Sequence, residues 1–342
     1  MLEHGGRLRR AAQQYGIALD QWLDLSTGIN PCAYPVPDIP LSAWHRLPED
    51  DDGLEAAAAR YYGSDALLPV AGSQPAIQAL PAVLPGRRVS LLAPSYAEHA
   101  HAWLAREPRW FGDDIDGAEA AVDASDIVVL VQPNNPTGLL FERDRLLDWR
   151  TRLARRGGWL VVDEAFIDTT PEASLVPEAG TDGLVVLRSL GKFFGLAGAR
   201  VGFVFAPATV RRQLAEILGP WTVSGPARHA AGAALADAAW QAQARARLVA
   251  DGERLAELLH AAGPGRPGGP SLFKWLPTPR AAELHDALAR HGVLVRLFDG
   301  APPGGALPAV PPSLRFGLPP DEAGWRRLEH ALRECAPERS AP

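Results

Sequence analysis

The chain has 342 residues, 47% of them hydrophobic and 22% charged, with a formal net charge of −6. That length exceeds one comfortable hydrophobic core, so one large and one smaller domain are expected in an ordinary globular protein. The acidic balance argues against nucleic acid as a partner, and no run reaches the roughly 18 apolar residues of a membrane span.

Cys32 and Cys335 are the two cysteines. Their separation suits neither a disulfide framework nor a metal-ligand cluster, so no metal is expected and a reducing compartment fits. The opening residues, MLEHGGRLRRAAQQYG, contain no apolar h-region. This argues against a signal peptide and for a cytoplasmic place. Arginine is plentiful, whereas Lys192 and Lys274 are the only lysines.

In chain order, residues 5–20 predict a short helix and Leu23–Leu25 an edge strand. The proline-rich segment from Asn30 to Pro48 reads as an extended arm, and Gly53–Tyr62 has helical periodicity. Short β-rich runs follow at Val89–Ala93, Ile127–Gln132, Leu160–Val162, Leu184–Arg188 and Val201–Phe205, with helix-like stretches such as Leu146–Arg156 between most of them. Unbroken apolar strands separated by helices predict a parallel sheet covered on both faces. The closeness of the last two runs predicts one antiparallel or hairpin-like member.

A long Ala-rich helix is expected from Pro226 to about Ala262. Beyond it an α+β module is expected: a strand at Leu272–Leu276, a helix at Arg280–His291, strands at Val293–Leu297 and Ser313–Gly317, and a helix at Asp321–Glu334. Gly263–Pro270 and Gly300–Pro312 read as exposed, mobile Gly/Pro loops. The expected division is 1–44 for an N-terminal arm with part of the small domain, 45–225 for the large domain and 226–342 for the small C-terminal domain.

Ligands of an open parallel sheet bind at the carboxyl ends of its strands, and five segments place polar groups there. Gly72-Ser73-Gln74-Pro75 opens an apolar helix, where Ser73 and Gln74 offer N–H groups to a phosphate and Pro75 suits the first turn. Read alone, it is as well a plain capped helix. Tyr96 follows a strand and can stack on a flat ligand or simply pack. QPNNPTG, residues 132–138, is a rigid turn that can aim the Asn135 amide at a ligand oxygen. Asp163 ends an apolar strand, where a buried acid needs a partner such as a protonated pyridine nitrogen; a helix N-terminus is the plainer alternative. RSLGKFFGLAGAR, residues 188–200, sets Lys192 among glycines and apolar residues, where a buried amine becomes a Schiff-base nucleophile. Ser189 and Arg200 flank it and can hold a phosphate. Anchor, ring stacker, amide donor, acid and amine together are what a pyridoxal 5'-phosphate (PLP) site requires.

PNNPTG, DEAF and SLGKFFGLAGAR resemble fold-type I PLP enzymes of the aspartate-aminotransferase superfamily. The resemblance implies an α/β fold: a large domain on a mostly parallel seven-stranded sheet plus a small α+β C-terminal domain. It implies Lys192 as the cofactor-holding lysine, Asp163 on the pyridinium nitrogen, Tyr96 on the ring and Asn135 at the phenolic oxygen. Gly72, Ser73, Gln74, Ser189 and Arg200 would surround the cofactor's phosphate. Lys192, Asp163 and Tyr96 are the implied catalytic residues. Phe166 stands where many relatives carry tyrosine, which removes a donor to the phenolic oxygen.

His4-Gly5-Gly6, Ser26–Pro31, DEAFID and Gly219–Ser224 further resemble decarboxylases of that superfamily that act on a phosphorylated amino acid. Aminotransferases with the same cofactor motifs are the nearest cousins. Leu47 stands where relatives often show a tyrosine that reaches a phosphate of the partner subunit. His4, Gly5, Gly6, Asn30, Arg296 and Arg315 are the implied substrate binders, Arg315 for a carboxylate and Arg296 for a phosphate. Each arginine alone reads equally as a surface salt bridge, and His4 as a plain terminal residue. The implied activity is decarboxylation. The alternatives are aminotransfer and, from another class, a non-catalytic PLP-binding regulator. The implied partners are a small phosphorylated amino acid and a second copy of the chain in a homodimer.

Overall fold

The computed structural model describes residues 4–263, 266–300 and 307–335. Among these residues eleven strands form: β1 (Leu23–Leu25), β2 (Leu67–Val70), β3 (Val89–Leu92), β4 (Arg109–Phe111), β5 (Ile127–Val131), β6 (Trp159–Asp163), β7 (Leu184–Ser189), β8 (Gly202–Phe205), β9 (Phe273–Pro277), β10 (Val293–Gly300) and β11 (Val310–Gly317). They divide between two units. The large one comprises residues 33–135 and 139–245, and the small one residues 1–32, 136–138 and 246–342. These boundaries differ from the 44/45 and 225/226 read from sequence. The arm goes with the large unit because the Tyr34 amide donates to the Phe194 carbonyl (2.9 Å) and the Tyr34 ring packs edge-on against Trp240, centroids 5.2 Å apart. The helix Gly225–Ala236 goes with it too, because Arg228 on that helix donates to Asp52 at 2.7 Å.

In the large unit the strand order is β2-β8-β7-β6-β5-β3-β4. β8 runs antiparallel to both neighbours and every other pair is parallel. This is the expected seven-stranded sheet, and β8 is its antiparallel member. β5 and β7 are buried along their whole length, as strands covered on both faces must be. On one face Val129, Val161, Val185, Leu187 and Val204 pack in one cluster with Ile77 and Leu80 of the helix Ser73–Val83. Each such fully buried side chain contributes about 1.5–3 kcal/mol. The sequence does not mark β2 and β4 as strands. β2 holds Pro69 and β4 exposes two of its residues. Both are sheet edges, where a missing donor or a wet face is tolerated.

The single Ala-rich helix expected from Pro226 to Ala262 is instead two, Gly225–Ala236 and Ala238–Ala262. Asp237 breaks it: its Oδ1 accepts the Trp240 amide (2.9 Å), a capping bond that starts a second helix.

In the small unit the order is β1-β10-β11-β9, with β1 at the edge and parallel to β10, and the other pairs antiparallel. Asp321 caps the helix Glu322–Glu334 by accepting the Gly324 amide (2.8 Å). β10 reaches Gly300 and β11 begins at Val310, so both ends of the segment read as a Gly/Pro loop are strand. Residues 264–265 and 301–306, in the two expected loops, lie outside the described residues.

Candidate active site

Strand register places the cofactor candidates along one edge. Val70, Gly202 and Ser189 are successive partners across β2, β8 and β7. Asp163 is the partner of Leu187 on one side and of Val131 on the other. The carboxyl ends of the parallel strands therefore lie level with the start of antiparallel β8. The segments there carry Gly72, Ser73, Gln74, Tyr96, Asn135, Asp163, Ser189, Lys192 and Arg200, all within the large unit. That edge is where open α/β sheets bind ligands.

A cradle for a phosphate forms first. Gly72 has φ +74°, a backbone that favours glycine, and a Cβ there would lie 2.4 Å from Arg200 Nη2. The helix Ser73–Val83 starts at the next residue, so its first N–H groups have no partner within the helix. Arg200 is held by a bond from Nη1 to the Ala197 carbonyl (3.1 Å), and Ser189 Oγ accepts the Gly191 amide (3.2 Å). The Gln74 side chain is engaged elsewhere: Nε2 donates to Glu98 (2.8 Å) and Oε1 accepts from Tyr96 Oη (3.3 Å). Gln74 thus offers a phosphate its backbone N–H and fixes the tyrosine ring. A helix N-terminus, a hydroxyl and a guanidinium form a donor set for a phosphate monoester.

The turn carrying Asn135 is pinned from two sides. Gln132 Nε2 donates to the Phe141 carbonyl (2.6 Å), and Asn134 accepts from Ser95 Oγ (2.6 Å) and donates to the Pro94 carbonyl (2.8 Å).

Asp163 is 3% exposed. Its Oδ1 accepts the Ala165 amide at 3.0 Å, and its Oδ2 lies 2.9 Å from His99 Nε2. A buried carboxylate so held can face a cationic ring nitrogen. The plainer reading of Asp163 as a helix cap does not apply, because its amide acceptor bond is a local turn and no α-helix follows. His99 is a candidate site residue that the sequence analysis does not single out. Its signal was its position three residues beyond Tyr96, which puts both at the start of one helix.

Lys192 is half-buried, not buried as its apolar neighbours suggested. The burial falls on Phe193 and Phe194, both 0% exposed, while Lys192 sits in the turn at the open edge of the sheet. Its Nζ lies over the Phe166 ring, 5.4 Å from the centroid. Phe166 therefore faces the amine with a hydrocarbon ring.

The substrate candidates all lie in the small unit. Gly5 packs so closely on Ser26 that a Cβ would lie 2.2 Å from its carbonyl oxygen, and the Gly6 amide donates to Ser26 Oγ (2.8 Å). Arg315 Nη2 donates to the same Ser26 carbonyl (3.0 Å). Gly5, Gly6, Ser26 and Arg315 are thus brought together from both ends of the chain, with His4 exposed beside them. Arg296 on β10 and Arg315 on β11 are register partners. Asn30 is 2% exposed, and its Oδ1 accepts from the Cys32 amide (3.0 Å) and Arg247 Nη2 (3.3 Å). Arg247 is a second missed residue; it lies in an Arg/Ala-rich helix and carried no local signal.

No helix among the described residues is long and apolar enough to cross a membrane, and none of their His, Cys, Asp and Glu groups cluster as a metal site. The chain belongs to the aminotransferase class I and II family, whose model matches residues 44–327. It is 55% identical over 334 residues to the threonine-phosphate decarboxylase of Pseudomonas aeruginosa, covering 97% of each chain. It is 43% identical to the enzyme of that name from a Sinorhizobium species, covering 96% of this chain and 97% of that one. Among solved structures it is similar to the histidinol-phosphate aminotransferase from Sinorhizobium meliloti in complex with pyridoxal-5'-phosphate. There the TM-score is 0.78 at 20% identity, covering 98% of this chain and 95% of that one, a likeness of fold.

Proposed function

We propose that this chain is a PLP-dependent carboxy-lyase that converts L-threonine O-3-phosphate to (R)-1-amino-2-propanol O-2-phosphate, a linker precursor in cobalamin biosynthesis. The observation that carries the reading is the register of Arg296 opposite Arg315. Two guanidinium groups at facing positions of one sheet suit a ligand that carries two anionic groups. Threonine phosphate, named in the relatives, has two anionic groups.

Ser73, Gln74, Ser189 and Arg200 fit the cofactor's phosphate, Tyr96 its ring, Asn135 its phenolic oxygen and Asp163 its ring nitrogen, with Lys192 as the covalent anchor. Bound there, PLP supplies a sink for the electron pair left when the Cα–carboxylate bond breaks. Asp163, steadied by His99, keeps a positive charge paired in a buried place. Arg315 takes the substrate carboxylate, and Arg296 takes the phosphate with Asn30 and the His4-Gly5-Gly6 segment. Gripping both ends sets the torsion at Cα, and that torsion decides which bond breaks. Lys192 Nζ or a water supplies the proton that Cα takes up after carbon dioxide leaves.

Purified protein with PLP is expected to release carbon dioxide from L-threonine phosphate. Glutamate-dependent conversion of PLP to its amine form, without carbon dioxide, would replace this reading with the aminotransferase one. A bound chromophore with neither reaction would favour the regulator. Arg315→Gln removes a charged hydrogen-bond donor worth about 1.5–3 kcal/mol. The expected result is roughly a 10- to 100-fold lower kcat/KM, with KM raised and kcat lowered. An unchanged KM would remove Arg315 from the substrate site.

A homodimer is part of the proposal. Leu41 (72% exposed), Trp44 (63%) and Leu47 (64%) lie close in sequence on the arm, and solvated apolar groups of that size mark an interface. The chain is expected to sediment at twice 36.6 kDa. Trp44→Asp should give a monomer, and an unaffected dimer would move the interface elsewhere. The two free cysteines support a cytoplasmic place.

A further inference from the structure

Asp168, in the DEAFID string, plays no part in the chemistry above, yet it is 1% exposed and joins three parts of the large unit. Its Oδ1 accepts Tyr61 Oη at 2.8 Å and also accepts Arg188 Nη2. Its backbone carbonyl accepts Arg245 Nε at 2.9 Å. Each of the outer two partners touches an aromatic ring next to Lys192. The Tyr61 ring meets Phe194 edge-on, centroids 5.5 Å apart, and the Arg245 guanidinium lies over Phe193 at 5.6 Å. Trp240 closes the set, stacked on Phe194 at 5.6 Å and edge-on to Phe193 at 5.7 Å.

The middle partner ties the same residue to the strand ends. Arg188 is fully buried; its Nη1 donates to Glu164 Oε2 (3.0 Å) and Ser174 Oγ (3.2 Å). Side chains alternate along a strand. Arg188 therefore points to the face opposite Ser189, and Glu164, one residue past the end of β6, meets it there. Buried ion pairs are weak stabilisers, because desolvation offsets most of their attraction. Their value lies in fixed geometry.

We propose that Asp168 is a positioning residue for Lys192. It anchors Tyr61 and Arg245, which grip Phe194 and Phe193, and it anchors Arg188, which holds the ends of β6 and β7 at the spacing that Asp163 and Ser189 require. Asp168 does not touch the reacting atoms. The inference rests on Lys192 as the cofactor lysine.

The test uses holoenzyme of Asp168→Asn and of Tyr61→Phe, the latter removing one hydroxyl while keeping the ring. Three quantities are measured: circular dichroism of the bound cofactor's visible band, the kcat and KM split with L-threonine phosphate, and the unfolding midpoint. Misplaced reacting groups cost rate steeply. The expected result is a changed cofactor dichroism and about a tenfold lower kcat for Asp168→Asn, with KM held within about twofold. Tyr61→Phe should move both readouts in the same direction by a smaller factor. Variants that unfold more easily but keep wild-type dichroism and kcat would overturn the proposal, as would a silent Tyr61→Phe beside an Asp168→Asn that fails to fold. A wild-type protein with no visible band would overturn the cofactor reading itself.

Discussion

Lys192→Ala is expected to lose turnover by roughly a thousandfold or more, because the group proposed to anchor the cofactor disappears. The same variant should release its visible chromophore on dialysis, whereas the wild type retains it. Lys192 is half-buried in a turn, and the apolar burial nearby belongs to Phe193 and Phe194. Removing the amine should therefore leave the fold intact, and the unfolding midpoint is expected to stay near that of the wild type. A Lys192→Ala protein that keeps both its chromophore after dialysis and its activity would end the reading of this lysine. Lys274 is no substitute: its Nζ donates to the Gly269 carbonyl (2.9 Å) in the small unit.

Asp163→Asn is expected to lower kcat by roughly 100- to 1000-fold, the equivalent of about 3–4 kcal/mol. The change is nearly isosteric, and the amide oxygen can still accept the Ala165 amide. What goes is the negative charge. A neutral amide does not hold a proton on a ring nitrogen, and the partner of His99 Nε2 changes from a carboxylate to an amide. Activity measured at saturating cofactor separates this from weaker binding, and chemical unfolding should report a loss of only about 1–3 kcal/mol. An Asn variant with a third or more of wild-type kcat would show that the ring nitrogen needs no anion here.

These two residues differ in how they can be found. Lys192 is one of two lysines and sits in a string whose glycines and aromatics are local information. Asp163 is visible as an acid at the end of an apolar strand. Its partner His99 is 64 residues away, and only the packing of the helix Ala97–Trp103 onto the sheet joins them. Asp168 has the same history, since Tyr61 lies 107 residues before it and Arg245 lies 77 after it. Arg296 and Arg315 were separate candidates until strand register set them opposite each other.

Short-range patterns determined most of the strands, the loops at their ends and the cofactor candidates, because periodicity, turn chemistry and strand-end position act over a few residues. Tertiary structure decided the edge strands β2 and β4, the break at Asp237, the half-burial of Lys192, and the partners of Asp163, Asn30 and Asp168. Those depend on side chains far apart in the chain meeting in a low-dielectric interior, where a polar group is tolerated only with a partner. No local window contains both members of such a pair.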